Sequence, residues 1–456
     1  MDRKQFIRNM AVLSGAAVLS SEKMSASELT SKEAASPVVG HNEKMSSARQ
    51  ARFKAAHKVR RVIVNNDGDD SRWEDPFDDV NIITPELFLS KRTLGLAEAP
   101  VDTVFYCDGR TVDLNHRSKY VGPTRIFKAG YVFDAFKEIG TDSLELTVDY
   151  LHRHGKEVFW SIRMNDCHDS TRSSWLGEFK KSHPELLVGR VGKSRIKYPA
   201  KKIACLDYTL PQVRDLIFNI FEEVIVNYDV DGVEMDFFRH PAFFLHQFCG
   251  EPVTAEECGM MTDLVRRIRK ALDKQAARRG RPMLLAIRVP DSPAYSRAIG
   301  VDWEQWLKED LIDLMTGADY FKLEPWRNFA ELGRKYGVQT FATLENRRLL
   351  TQDPQYRGKT SVAGRCNELT DMDQWRNEAL AAWTSGINGM YVFNRFEADD
   401  PVLREVSSPA LLKKLGAKPV ESYGNHASNN DPGMWLKGGR SYWKAPDGWF
   451  DNTENK

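Results

Sequence analysis

Cysteine is scarce in this chain, with six residues among 456, at positions 107, 167, 205, 249, 258 and 366. So few, so scattered, they exclude a disulfide scaffold, and the lack of CxxC spacing excludes the usual zinc and redox motifs. Cys249 and Cys258 lie close enough along one loop to pair in an oxidising compartment, with free thiols the equal alternative. Net charge is nearly absent too: 65 basic residues face 64 acidic ones, for a formal +1. That balance excludes a general affinity for nucleic acid or an anionic membrane. No run of about 20 apolar residues exists, so no membrane span is expected. The first apolar strand is followed by no glycine-rich phosphate loop and carries no His-x-His pair. Internal repeats and EF-hand patterns are lacking as well.

What is present begins with a targeting signal. Arg3, Lys4 and Arg8 precede the uncharged stretch Met10–Leu19, followed by Ser20 and Ser21. A basic start, a short apolar core and small residues after it give residues 1–21 the layout of a signal peptide, of either twin-arginine or general secretory type. The expected location is therefore periplasmic or extracellular. Residues 22–58 are rich in Ser, Ala, Lys and Glu and read as a tether outside the core. Residues 59–405 alternate short apolar runs with helical segments. Residues 406–456 form a tail with Trp435, Tyr442, Trp443, Trp449 and Phe450, expected to pack on the domain surface.

Eight apolar runs are spaced through residues 59–405: 61–66, 103–107, 158–162, 232–236, 283–288, 312–316, 340–344 and 389–393. Eight strands separated by helices predict a closed (β/α)8 barrel of the TIM type; a doubly wound open sheet is the runner-up. Pro211–Asn227 repeats apolar residues at i, i+3 and i+4 behind an initial proline, which predicts a helix, and a second is expected over residues 371–385 before Gly386.

In such a barrel, chemistry gathers at the C-terminal ends of the strands. Those ends hold Asn66 and Asp67 after the first strand and Arg163, Asn165, Asp166 and His168 after the third. The fourth and fifth supply Glu234, Asp236, Arg239, His240, Arg288 and Asp291. The sixth, seventh and eighth supply Tyr320, Glu324, Glu345, Asn394 and Arg395. The fourth strand is the sharpest signal. Its alternation puts Glu234 and Asp236 on one face, about 6–7 Å apart along the strand, and only Val233, Met235 and Phe237 on the other. Two acids pointing into a barrel need partners or a task. Glu234, the deeper, is expected to pair with Arg163 or Arg288, which leaves Asp236 at the mouth as a catalytic candidate. Glu345 ends the seventh strand across the mouth and supplies a second carboxylate. Glycoside hydrolysis uses such a pair, at about 5–5.5 Å for retention or about 6.5–9.5 Å for inversion. An ion pair of Glu345 with Arg288 or Arg395 is the bland alternative.

The segments Leu206–Arg214 and Tyr228–Asp236, with Asp302–Asp313 and Gly386–Asn394, resemble the glycosyl-hydrolase-like-10 group of bacterial barrels. The resemblance implies a glycoside hydrolase and an active-site role for Asp236. It fails after that residue, where Phe237–His240 stands in place of a second acid and a tyrosine. The expected substrate is an oligo- or polysaccharide of bacterial, plant or algal origin. Arg163, Arg239, Arg288, Arg347, Arg348 and Arg395, with His168 and His240, suit uronate or sulfate groups, unless they only neutralise the rim acids. No catalytic metal is expected; Asn66–Asp70 is oxygen-rich enough for a structural calcium, and Asn165–Asp169 offers a mixed donor set. A non-catalytic glycan-binding barrel and a metal-dependent hydrolase or lyase are the competing classes. Oligomeric state is not legible.

Overall fold

The computed structural model describes residues 46–72, 81–166, 168–170, 172–198, 203–345, 349, 372–425, 435–442 and 444. Eight parallel strands close into a barrel in sequence order: β1 Val62–Asn66, β2 Thr103–Cys107, β3 Glu157–Arg163, β4 Gly232–Asp236, β5 Leu284–Val289, β6 Leu314–Gly317, β7 Gln339–Leu344 and β8 Gly389–Phe393. β1 pairs with both β2 and β8, so no edge remains. β2, β4 and β8 fall on the predicted residues, and the others shift by one or two. The predicted signal peptide, Cys167, Cys366, Asn346, Arg347, Arg348, Trp443, Trp449 and Phe450 lie outside the described residues.

Strand alternation sorts the side chains into two cores. Ile63, Phe105, Phe159, Leu284, Leu314, Phe341 and Tyr391 fill the barrel interior. Val64, Val104, Trp160, Val233, Met235, Ile287 and Val392 face outward into the layer shared with the helices. Gly232 is required where the interior is most crowded. A Cβ there would stand 2.3 Å from Phe159 Cε1 and 2.5 Å from the Leu284 carbonyl oxygen. The Pro211–Asn227 helix forms over the expected residues, and the later one runs Met372–Thr384.

The stretch expected as a tether includes a structural element. Ser47–Ala56 is a helix, with Ser46 as its N-cap, and Ala56 joins the cluster inside the barrel. Arg60 ties the helix end down, donating to the Ala55 and Ala56 carbonyls while its Nε lies 2.6 Å from Glu157. Composition hid this because a mostly polar helix needs only its end buried. The cysteines Cys107, Cys205, Cys249 and Cys258 are free thiols, so the Cys249–Cys258 pairing does not form. In the described part of the tail, Trp435 meets Tyr198 edge-on at 4.7 Å, and Tyr442 lies 5.8 Å from Tyr295.

Candidate active site

Three registered rows across β3, β4 and β5 build the centre of the site. Phe159, Gly232 and Leu284 form an apolar floor; Ser161, Glu234 and Ala286 come next; Arg163, Asp236 and Arg288 sit uppermost. The barrel thus changes from hydrocarbon to charge within a few ångströms.

Glu234 is fully buried in the middle row. Ser161 donates to it at 2.6 Å and Tyr391 at 3.0 Å, while Asn65 donates to the Tyr391 hydroxyl at 2.7 Å. Burial pushes its carboxyl up to about 8, against the opposing charge of Arg288. Its hydrogen-bond partners are hydroxyls instead of the expected arginine. Arg288 occupies the same row as Asp236, so its planar fork meets that acid first. Its Nε and Nη2 lie 3.0 and 2.5 Å from the two Asp236 oxygens, and its Nη1 lies 3.0 Å from Asp319. The backbone N–H groups of Phe238 and Arg239 donate to the same carboxylate at 2.9 and 3.3 Å. Asp236 is therefore fixed by four donors at the head of β4, a carboxylate oriented in advance.

The loop after β1 supplies a second acidic group. Asp67 accepts from Arg92 at 2.5 Å and from Asn394 at 2.7 Å, while its own N–H donates to Asn394 at 3.1 Å. Burial would raise the Asp67 carboxyl, but Arg92, Arg163, Asn394 and Arg72 overcome it and hold the group far below the usual range. Asp69 goes the other way. Burial and the charge of Asp67 push it up to about 7, although Arg72 lies 2.9 Å away. Two neighbouring carboxyls with separated affinities for the proton are a pattern that supports acid–base work. Asp69 lies inside the oxygen-rich Asn66–Asp70 segment without being singled out from sequence; the alternating acids of Asp67-Gly-Asp69 were the available signal. Asn66 and Asp70 bond each other at 3.0 Å, and Tyr106 donates to Asp70 at 3.1 Å.

The loop after β3 contributes Asp166, which accepts from Arg163 and from His168 Nδ1, both at 2.9 Å. Arg239 Nη2 lies 3.0 Å from His168 Nε2. Because a guanidinium only donates, that nitrogen must accept, and the proton sits on Nδ1 facing Asp166. The Asp166 charge favours the imidazolium, but burial and the charges of Arg239 and Arg163 outweigh it and push His168 down to about 4. Asp166, His168 and His240 offer donor atoms within 4.8 Å of one another, a set able to hold a metal ion. The guanidinium groups already bonded to two of its members oppose a cation there.

Several expected substrate contacts serve the scaffold. Asn165 donates to the Leu206 and Ala242 carbonyls and accepts from the Leu206 N–H, so both ends of its amide join loops. Asp291 accepts the Leu323 and Glu324 N–H groups, and burial pushes its carboxyl up to about 6. Glu324 accepts from Asn328 at 2.9 Å and faces Lys444 at 3.2 Å. Arg395 binds Asp400 through both fork nitrogens, at 2.6 and 2.9 Å, above the Trp375 ring. Arg163, Arg288 and Arg395 are thus committed to carboxylates. Arg239 is half-buried over Tyr320, 5.0 Å from its centroid. Glu345 follows β7 directly and is 6% exposed.

Residues 123–256 match the family model described as glycosyl hydrolase-like 10. The matched segment contains β3, β4 and the loop between them, hence Arg163, Asp166, His168 and Asp236, and it stops short of Glu345. It is the family that the motifs around β4 resemble. No curated protein matches the chain. Among solved structures, the glycoside hydrolase domain of PgaB (BpsB) from Bordetella bronchiseptica is 11% identical, with 77% of this chain and 99% of that chain covered and a TM-score of 0.45. Alpha-L-fucosidase isoenzyme 2 from Paenibacillus thiaminolyticus is 11% identical over 78% of this chain and 49% of that chain, TM-score 0.45. A glycoside hydrolase family 18 N-acetylglucosaminidase from Paenibacillus barengoltzii is 14% identical over 62% and 68%, TM-score 0.31. This chain spans about half the length of the fucosidase chain.

Proposed function

We propose that this chain is a glycoside hydrolase working at the C-terminal mouth of its barrel, with Asp236 and Glu345 as the acting carboxylates. The observation that carries the reading is the preparation of Asp236, inside the segment that matches a glycosyl hydrolase-like family. A carboxylate held bidentately by Arg288 and by two backbone N–H groups suits the anionic part, as nucleophile or base. Its partner must carry a proton to the departing glycosidic oxygen. Glu345, at the end of β7, is assigned that part. Asp69 is a second candidate for it, because its carboxyl keeps a proton up to about pH 7.

The substrate in this reading is an oligo- or polysaccharide bearing uronate or sulfate groups, met by an exported enzyme. Arg239 over Tyr320 is the arginine at the mouth assigned to those groups. Sugar release from neutral, uronic and sulfated oligosaccharides tests the proposal, with Asp236→Asn and Glu345→Gln beside the parent. Loss of turnover with binding kept in both variants supports it. Binding by the parent with no release from any substrate would make the chain a glycan-binding barrel.

A further inference from the structure

Beside the mouth, the loops after β1, β2 and β3 build an aromatic and basic rim. Trp175, after β3, meets Phe127, after β2, with centroids 5.6 Å apart and planes at 67°. Phe127 is 51% exposed and has φ +51°. A bulky side chain disfavours that left-handed conformation, and strain of this kind collects at ligand clamps. Burial does not compensate for it here, since half the ring stays in water. The exposed Arg172 lies over the Trp175 ring at 4.2 Å, and Arg72 approaches the same ring at 5.9 Å. Arg72 also pairs with Asp69 at 2.9 Å, which joins the rim to the mouth.

We propose that Phe127, Trp175, Arg172 and Arg72 form a subsite for one anionic sugar unit, uronate or sulfated, of a chain whose neighbouring units lie in the mouth. A guanidinium stacked on an indole keeps its N–H edge for a carboxylate or sulfate. The Phe127 ring offers the flat apolar surface that the C–H face of a pyranose needs. Rings alone would serve a neutral sugar; the exposed Arg172 makes the rim complementary to an anion, with Arg72, held by Asp69, adding positive charge beside it. The inference rests on the hydrolase reading for its placement, while its test reads binding.

The full chain carrying Asp236→Asn is run in native gels containing dextran, dextran sulfate or polygalacturonate. Retardation by a polyanion and not by dextran is expected. Adding Phe127→Ala or Arg172→Gln should weaken it about tenfold. Phe127→Gly, which relieves the backbone, should weaken it equally and shows that folding is not the cause. Arg267→Gln, on the outer helix Ala255–Arg279, is the control for charge alone and should leave retardation unchanged. Equal retardation on dextran, no retardation on any polymer, unchanged retardation in the rim variants, or an equal loss in the Arg267 variant would each overturn the subsite. If the Asp236 variant instead keeps the parent's sugar release, the hydrolase reading fails while the rim is judged by its gels.

Discussion

Replacing Arg288 by methionine is the most informative perturbation of this barrel. Arg288 is 1% exposed and its partners Asp236 and Asp319 are 2% and 1% exposed, so water hardly screens the three charges. Removing the cation leaves two buried carboxylates facing each other without it. Breaking a buried pair in this way costs about 3–5 kcal/mol. With an unfolding entropy of about 2 cal/mol/K per residue, a chain of 456 residues loses roughly 3–5 °C in Tm. Arg288→Met in an Asp236→Asn, Asp319→Asn background should cost far less, because no unpaired charge is then left behind. Thermal and urea unfolding of the four proteins close the cycle. A single variant within about 1 kcal/mol of the parent, or an equal loss in both backgrounds, refutes the argument. Turnover gives a second readout. Asp236 would lose its orientation, and misplacement by about 1 Å lowers rate on the order of a hundredfold.

Three further outcomes are expected. Glu234, with its folded carboxyl pushed up to about 8, binds more protons folded than unfolded between about pH 4.5 and 8. Stability from this group is present below the ordinary carboxyl range and lost as pH rises through 8. Glu234→Gln should therefore gain at least ~1 kcal/mol on the parent between pH 5 and 9 in melting curves, and parallel curves would count against it. Asp69→Asn should lower kcat/KM by about a hundredfold or more and erase a titration near pH 7, if Asp69 supplies the proton; an unchanged pH profile leaves that part to Glu345. Gly232→Ala should cost about 3 kcal/mol in urea unfolding, since the new methyl would meet the Leu284 backbone at 2.5 Å as well as the Phe159 ring. A neutral result would mean that the barrel interior is looser than its spacing indicates.

The strands were legible because a closed barrel leaves a mark on every one of them. Each must turn apolar residues outward to the helices and fill the interior with the alternate set, so Val233 and Met235 betray β4 before any geometry is known. Helix Pro211–Asn227 was legible for the same reason, at its own period. The Ser47–Ala56 helix was not, because its amphipathic signal is weak and one alanine enters the barrel core.

Pairing among the charges depends on a different quantity, the stagger of neighbouring strands. That Glu234 and Asp236 point inward follows from alternation; which of them Arg288 reaches follows from register, with Arg288 opposite Asp236 and Ala286 opposite Glu234. A slip of two residues would have given the arginine to Glu234. The same limit explains the arginines at the other strand ends. An arginine there can meet a substrate or a neighbour, and Asp166 and Asp400 stand where they engage Arg163 and Arg395. The anion-binding part of the proposed site therefore passes to Arg239 at the mouth and to Arg172 on the rim, each stacked on an aromatic ring. Arg172 is exposed over its ring, whereas Arg239 already gives one N–H to His168 and is half-buried. In this reading Arg163, Arg288 and Arg395 hold the machinery in place, and Arg239 and Arg172 receive the sugar.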